Sequence, residues 1–120
     1  MAAPNIVEVA NILGSTDVQS VTTTASAITT NSAASGKVYK INSLVVSNID
    51  GTNAADISVD LFRSSTAYYI ARTITVPADA TLVVISKDMG IYLEEGDSIR
   101  CQASANGDLQ ALCSYEEINA

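Results

Sequence analysis

Apolar and polar residues alternate along several short segments of this chain. The apolar residues Ile57, Val59 and Leu61 are separated by polar ones, and residues 68–76 and 99–103 repeat the same period of two. Successive side chains of a β-strand point to opposite faces, so this period is typical of strands with one buried face. Several such segments at regular spacing, with turn-forming residues between them, predict an all-β antiparallel sandwich or barrel.

The same pattern predicts about eight to nine strands, enough for two packed sheets. Leu44, Val45 and Val46 interrupt the alternation of one long strand. This interruption indicates either that both faces of that strand are covered or that it contains a bulge near Ser43. Besides the three segments above, strands are expected at residues 38–49, 82–85, 91–93 and 109–115, with two weak edge strands within 15–35.

Residues near the N-terminus fit two conformations. A helix beginning after Pro4 would carry Ile6, Val9 and Leu13 on one face. The β-branched side chains of the same segment favour an extended strand instead; they are Ile6, Val7, Val9 and Ile12. We expect the extended form, which divides the chain into an N-terminal arm, residues 1–14, and a single β-sandwich domain, residues 15–120. Such an arm is able to pair with its own sheet or to reach a neighbouring subunit.

The last two predicted strands are joined by residues 106–108, Asn-Gly-Asp. A two-residue turn would set Cys101 against Leu112, whereas a three-residue loop sets Cys101 against Cys113. Only the second register places the apolar residues of both strands on one face, so we expect the three-residue loop and cross-strand cysteines in the core. Directly opposed positions strain a disulfide, and a cytoplasmic origin favours reduced thiols that pack as small apolar groups.

Composition and charge exclude several classes of function. Hydrophobic residues make up 48% of the chain and charged residues 16%, which indicates a folded domain. The net charge of −7, with six basic residues spread along the chain, argues against binding to nucleic acid. No apolar run approaches the roughly 20 residues of a membrane helix, and the first residues lack the pattern of a secretory signal. We therefore expect synthesis in a cytoplasm, with neither nucleic acid nor membrane as a partner.

No catalytic arrangement can be found in the sequence. The chain contains no histidine, the usual base beside a serine or cysteine nucleophile. Oxygen-bearing side chains gather at residues 48–56 and 94–97, but neither segment follows the spacing of a calcium loop, and both are typical of turns. We therefore expect no enzyme activity and no catalytic, cofactor or metal site.

The residues best suited to a protein partner are aromatic, basic or apolar and are expected at the surface. Strand alternation predicts that Tyr68 points inward and Tyr69 outward. An exposed Tyr69 beside Phe62 and Arg72 would suit a protein contact, because Tyr and Arg are enriched at binding hot spots. Together with the arm, the candidate partner-binding residues are Ile6, Val7, Val9, Ile12, Phe62, Tyr69 and Arg72.

Six blocks of sequence occur in a distinctive order, namely residues 3–7, 38–44, 53–61, 76–85, 91–99 and 113–118. In this order the chain resembles small virion structural proteins of tailed bacteriophages, in particular those of cyanophages. The resemblance implies an oligomeric, jelly-roll-like β-sandwich accessory protein that docks on a larger assembly. It supplies no catalytic residues.

The leading hypothesis is therefore a capsid decoration (cement) protein, bound to the lattice of the major capsid protein or to other virion proteins. It would be made in the host cytoplasm and located in the virion. The alternatives are a tail, neck or baseplate component, and a host-surface glycan-binding module, which the absence of tryptophan disfavours. We expect a homo-oligomer, for which small decoration domains suggest a trimer by analogy.

Overall fold

The computed structural model describes residues 11–119, which form two antiparallel β-sheets packed face to face. The all-β antiparallel sandwich predicted from the alternation is confirmed. A short 3-10 turn, Lys87–Met89, lies between the sixth and seventh strands. The nine strands of the described residues are β1 Asn11–Ser20, β2 Ser26–Thr30, β3 Lys37–Asn48, β4 Ala55–Arg63, β5 Thr66–Val76, β6 Thr81–Ile85, β7 Ile91–Leu93, β8 Ser98–Ala103 and β9 Leu109–Asn119.

Two sheets divide these strands between them. Sheet A has the order β1-β9-β3-β6, and β7 pairs with β3 on the same side as β6. Sheet B has the order β2-β8-β4-β5. The strands β4 and β5 form a hairpin whose turn residues, Ser64 and Ser65, have φ values of 51° and 59°, as the tight two-residue turns of hairpins require.

The inner faces of the two sheets supply one core. Ile57, Val59 and Ile99 from sheet B are fully buried, and Leu44 and Val46 from sheet A face them. Burial of such side chains is the main source of stability for a domain of this size. The remaining members of the core are Val21, Ile41, Ala55, Val76, Ile85, Leu93, Cys101, Ala103, Leu109, Ala111, Cys113 and Tyr115.

The long strand β3 contains a bulge. Its register against β9 shifts between Ile41 and Ser43, so Asn42 is the extra residue. Beyond the bulge, Leu44 and Val46 face the core, while Val45 lies on the outer face. Of the two alternatives left by the sequence, the bulge near Ser43 is therefore the observed one.

The predicted hairpin register of the last two strands is wrong. The strand β8 pairs with β2 and β4 in sheet B, whereas β9 pairs with β1 and β3 in sheet A. Cys101 lies opposite Val59, and Cys113 lies opposite Leu44, so the two cysteines are not cross-strand neighbours. Alternation correctly identifies the buried face of each strand, but two such faces can meet across a core as well as side by side.

The structure describes part of the predicted N-terminal arm. Residues 11–14 are extended and belong to β1, which pairs with β9 from Asn11 opposite Asn119 onward. The strand therefore crosses the boundary expected at residue 14. The candidate residues Ile6, Val7 and Val9 lie outside the described residues. Within those described, β1 and β2 are the outer strands of their sheets, as predicted for the weak strands of this region.

Candidate interaction surfaces

An apolar row crosses the outer face of sheet A. Val18 on β1 lies opposite Leu112 on β9, Leu112 lies opposite Val45 on β3, and Val45 lies opposite Val83 on β6. Val18, Val83 and Leu112 are 73%, 58% and 40% exposed. We call these four residues the apolar row. Isolated surface valines are ordinary, but a continuous row over four strands is typical of a surface that contacts another protein.

The positions on either side of the apolar row are polar and uncharged. The hydroxyl oxygens of Thr16 and Ser114 lie 3.1 Å apart on one side. On the other side the hydroxyl oxygens of Ser47 and Thr81 lie 3.1 Å apart, and Gln110 is opposite Ser47. None of these five described residues carries a charge, although the chain as a whole is strongly acidic.

One opposite-charge pair lies farther along the same outer face. Lys40 on β3 is directly opposite Glu116 on β9, and Tyr92 on β7 is the next residue across. Lys40 and Glu116 are both partly exposed, and Tyr92 is 39% exposed. We call Lys40 and Glu116 the charged pair. Sheet A therefore presents an ordered surface, with its apolar and charged positions at defined places.

The outer face of sheet B carries an arginine–aromatic patch, made of Phe62, Tyr69, Arg72 and Arg100. The Arg72 guanidinium lies 4.7 Å from the centre of the Tyr69 ring, and the Arg100 guanidinium lies 3.9 Å from the centre of the Phe62 ring. Arg100 also forms a salt bridge of 3.0 Å with Asp60, which lies opposite Tyr69 in the β4–β5 ladder. These cation–π contacts and the ion pair fix the positions of the side chains.

The structure brings together three of the predicted partner-binding residues and separates the fourth that it describes. Phe62, Tyr69 and Arg72 share the outer face of sheet B, where Tyr69 is 45% exposed. Ile12 lies instead on β1 of sheet A, opposite Ile118, and is 55% exposed. Tyr68 lies opposite Leu61 and so faces inward as predicted, but it is 57% exposed. Because β5 is the outermost strand of sheet B among the described residues, its inward positions are not covered as those of β4 are.

The apolar row was not identified from the sequence. The sequence contains one indication of it: Val45 in β3 and Val83 in β6 are apolar residues between apolar neighbours, at positions where the alternation predicts a polar, outward-facing residue. That signal shows that a strand is apolar on both faces, but it does not show which residues of other strands lie beside it. The order of strands in sheet A supplies this information.

The acidic turn between β7 and β8 is an ion-pair cluster. Both oxygens of Asp97 accept hydrogen bonds from Arg63, at 2.9 and 2.6 Å, and Glu94 lies 2.9 Å from the same guanidinium. Glu95 is buried, and its Oε2 accepts a hydrogen bond from the backbone N–H of Gly36 at 2.7 Å. Because Arg63 already occupies this turn as the cation, the residues best placed to bind a metal are engaged with a protein side chain.

The second oxygen-rich turn is also held by internal hydrogen bonds. The Asp50 carboxylate accepts hydrogen bonds from the backbone N–H groups of Thr52 and Asn53, which lower its pKa. Asn48 accepts from the backbone N–H of Asp50 in turn. Among residues 11–119, no three acidic, cysteine or histidine side chains are arranged to hold a metal ion. These residues therefore shape the turn.

Both cysteines are free thiols inside the core. Cys101 and Cys113 are 1% and 0% exposed. Burial raises the pKa of Cys101 to about 12, and it also raises the pKa of Cys113. A thiol that stays protonated and inaccessible is a poor nucleophile. The two cysteines thus contribute packing to the sandwich.

Comparison with known proteins identifies a similarity of fold. No protein-family model and no curated protein matches the sequence. Among solved structures, the chain is similar to a subunit of Bacillus endospore appendages, described as a novel family of disulfide-linked pili. The TM-score is 0.53 at 14% sequence identity, and the alignment covers 99% of this chain and 96% of that one. The two proteins share a fold, and the neighbour is a structural protein.

The described residues form no helix long and apolar enough to cross a bilayer.

Proposed function

We propose that this protein is a structural accessory subunit of a bacteriophage particle, and that it decorates the capsid by binding to the major capsid protein. The resemblance of six sequence blocks to phage virion proteins supports this role. The shared fold with a pilus subunit supports the broader class, a β-sandwich that serves in a protein assembly. In this role the protein acts through its surfaces and catalyses no reaction.

The arginine–aromatic patch is the observation that carries the proposal. Its side chains are held in place before binding, since Asp60 fixes Arg100 and the Tyr69 ring lies under Arg72. Preorganised Tyr and Arg side chains lose little conformational entropy on binding and are enriched at hot spots. Many copies attached in this way would hold firmly even if each contact were weak.

A second candidate is a subunit of a self-assembling fibre, which the fold of the pilus neighbour suggests. The outer strands of both sheets favour it, because such strands offer backbone groups for pairing with another subunit. The positions of the cysteines argue against a fibre whose subunits are linked by disulfides. The sequence has only Cys101 and Cys113, and both are buried in the core.

The proposal is tested by rebinding purified protein to particles that lack it. Tyr69→Ala removes the ring beneath Arg72, and we expect it to weaken capsid binding by about tenfold or more, as for a hot-spot residue. Tyr68→Ala is the matched control, because it removes the same side chain from the adjacent position of the same strand. Tyr68 is not part of the patch and is the more exposed of the two. Equal binding by both variants would reject the patch as the docking site.

The position of the protein in the particle is tested separately by electron cryo-microscopy. Regular copies of this sandwich over the capsid lattice would support the decoration role. Density confined to the tail, neck or baseplate would reject the capsid as its partner. Filaments formed by the purified protein alone, and its absence from particles, would favour the fibre subunit.

A further inference from the structure

We propose that a second copy of this chain covers the outer face of sheet A. The two protomers would be related by a twofold axis that runs parallel to the strands and passes between β9 and β3, the central strands of the sheet. This inference goes beyond the proposed function, because it uses different residues and holds whichever particle or fibre contains the protein.

The order of the apolar row matches itself under this axis. From β1 to β6 the row reads Val18, Leu112, Val45, Val83. The twofold axis reverses the order in the second copy, so Leu112 meets the partner's Val45 and the terminal valines meet each other. Such an arrangement is an isologous contact, in which one surface serves both subunits. Each central side chain, only partly covered in the single protomer, is then buried against an apolar one.

The charged pair is complementary under the same axis. Glu116 and Lys40 occupy adjacent positions on β9 and β3, on either side of the axis. Reversal of the strand order places Glu116 over the partner's Lys40, and Lys40 over the partner's Glu116. Each dimer therefore contains two intersubunit contacts of opposite charge. Within one protomer the two residues are also a cross-strand pair of opposite charge, and the twofold axis adds a second favourable contact for each of them.

The net charge of the chain also favours this face for self-association. Two bodies that each carry a charge of −7 repel one another. The residues around the apolar row are hydroxyl and amide side chains, so two copies meet here without bringing carboxylates together. The charged pair adds zero net charge to the contact.

The size of the face is appropriate for a dimer. Beyond Val38 and Ile118, which are already buried on this face, four strand positions about 4.8 Å apart over residues 14–20 of β1, rising about 3.3 Å each, describe a flat area of roughly 450 Å². The accessible surface of a side-chain-covered face exceeds its flat area, and a standard interface buries about 800 Å² on each partner. Two sheets stacked in this way keep their strands aligned within about 30°.

Sedimentation equilibrium of the purified full-length protein tests the proposal. We expect the wild type to be a dimer at micromolar concentration. Leu112→Glu places a charge in the centre of the contact and should raise the dimer dissociation constant by at least about a hundredfold. Val18→Glu, at the most exposed member of the row, is a second variant that cannot act by opening the core. Tyr68→Glu adds the same charge on sheet B and should leave the dimer unchanged.

Charge exchange tests the direction of the axis. Lys40→Glu and Glu116→Lys should each weaken the dimer by about tenfold or more, because each creates two like-charge contacts. The double variant, with the charges exchanged, should restore wild-type association. A monomeric wild type would overturn the proposal, as would a dimer unaffected by Leu112→Glu and Val18→Glu. If Leu112→Glu and Val18→Glu dissociate the dimer but the charge substitutions at Lys40 and Glu116 leave its dissociation constant unchanged, the proposed position of the twofold axis is wrong. Capsid rebinding by Tyr69→Ala reports on the proposed function independently of these results.

Discussion

The Arg100 guanidinium donates two hydrogen bonds to the carboxylate of Asp60. The Nε–Oδ1 distance is 3.0 Å, and the Nη2–Oδ2 distance is 3.3 Å. Asp60 is only 3% exposed although it lies on the outer face of sheet B, because Arg100 covers it and stacks on Phe62. The Asp60 carboxylate is therefore removed from water, and the Arg100 guanidinium compensates its negative charge.

Removing either partner of this ion pair should destabilise the fold, but not equally. Arg100→Ala leaves the buried Asp60 charge without a partner, and we expect the free energy of unfolding to fall by about 3–5 kcal/mol. Asp60→Ala leaves Arg100, whose side chain is 22% exposed and can be hydrated, so its effect should be smaller. Urea unfolding of both variants measures the difference. Equal losses would show that the burial of the Asp60 charge does not determine the cost of breaking the pair.

Two buried asparagines should not tolerate replacement by aspartate. Asn31 Nδ2 donates to the carbonyl oxygens of Lys37 and Leu93, at 2.9 and 3.0 Å. Asn48 Nδ2 donates to two carbonyl oxygens in the same way, at 2.9 and 3.0 Å. Asn31→Asp or Asn48→Asp replaces two donors by an acceptor and buries a charge, so each should lower the free energy of unfolding by at least about 2 kcal/mol.

The matched control for these variants is Asn106→Asp. Asn106 is exposed, and its Oδ1 accepts from the backbone N–H of Thr23 at 2.9 Å, a role that a carboxylate performs equally well. Urea unfolding at pH 7 should show little change for this control. If the protein tolerated Asn31→Asp as well as Asn106→Asp, the two buried donor contacts would contribute nothing measurable.

Local signals were sufficient to predict most of the strands. Residues 91–93 were expected as a strand and form β7, because a short apolar run between turn residues decides this locally. The bulge at Asn42 was among the expected alternatives, since it reverses the phase of the alternation within one strand. The phase of each strand and its inward face are properties of neighbouring residues in the sequence.

Strand neighbours could not be predicted in the same way. The predicted pairing of β8 with β9 was wrong because the chain between these strands crosses from one sheet to the other. The crossing lies at the end of the sandwich where the backbones of Val21 and Thr22 form hydrogen bonds with Leu109 and Ala103. The same difference explains which candidate surface could be predicted from the sequence. Tyr69 and Arg72 lie close together in one strand and were identified, whereas the apolar row joins four distant segments and depends on the order of strands.

Stability should decrease at alkaline pH because the buried thiols and phenols stay protonated in the folded state. Burial raises the pKa of Cys101 from 9.0 to about 12, and that of Tyr115 from 10.0 to about 12. In the unfolded chain these groups lose their protons at the lower values. The stabilisation is thus complete below about pH 9 and is lost as the pH rises toward 12.

Cys101→Ala removes one of these groups and should reduce the slope of stability against pH. Each group contributes at most about 1.4 kcal/mol per pH unit within its window. Urea unfolding of both proteins between pH 8 and 11 measures the slopes, so the constant loss from the smaller side chain cancels. Identical slopes would mean that the thiol ionises as readily in the fold as in the unfolded chain.

The position at which the sandwich begins can be tested with two shortened chains, one starting at residue 11 and one at residue 15. The second lacks the four residue pairs of the β1–β9 ladder from Asn11 opposite Asn119 to Gly14 opposite Glu116. We expect it to be less stable than the first by on the order of 1–3 kcal/mol, because backbone hydrogen bonds are lost. The control is a chain starting at residue 11 with Ile12→Ser and Leu13→Ser. It keeps the ladder but lacks two exposed apolar side chains, so it separates the loss of the ladder from the loss of those side chains. If the chain starting at residue 15 were as stable as the one starting at residue 11, the boundary expected at residue 14 would be the correct one, and the first four residue pairs would belong to the arm.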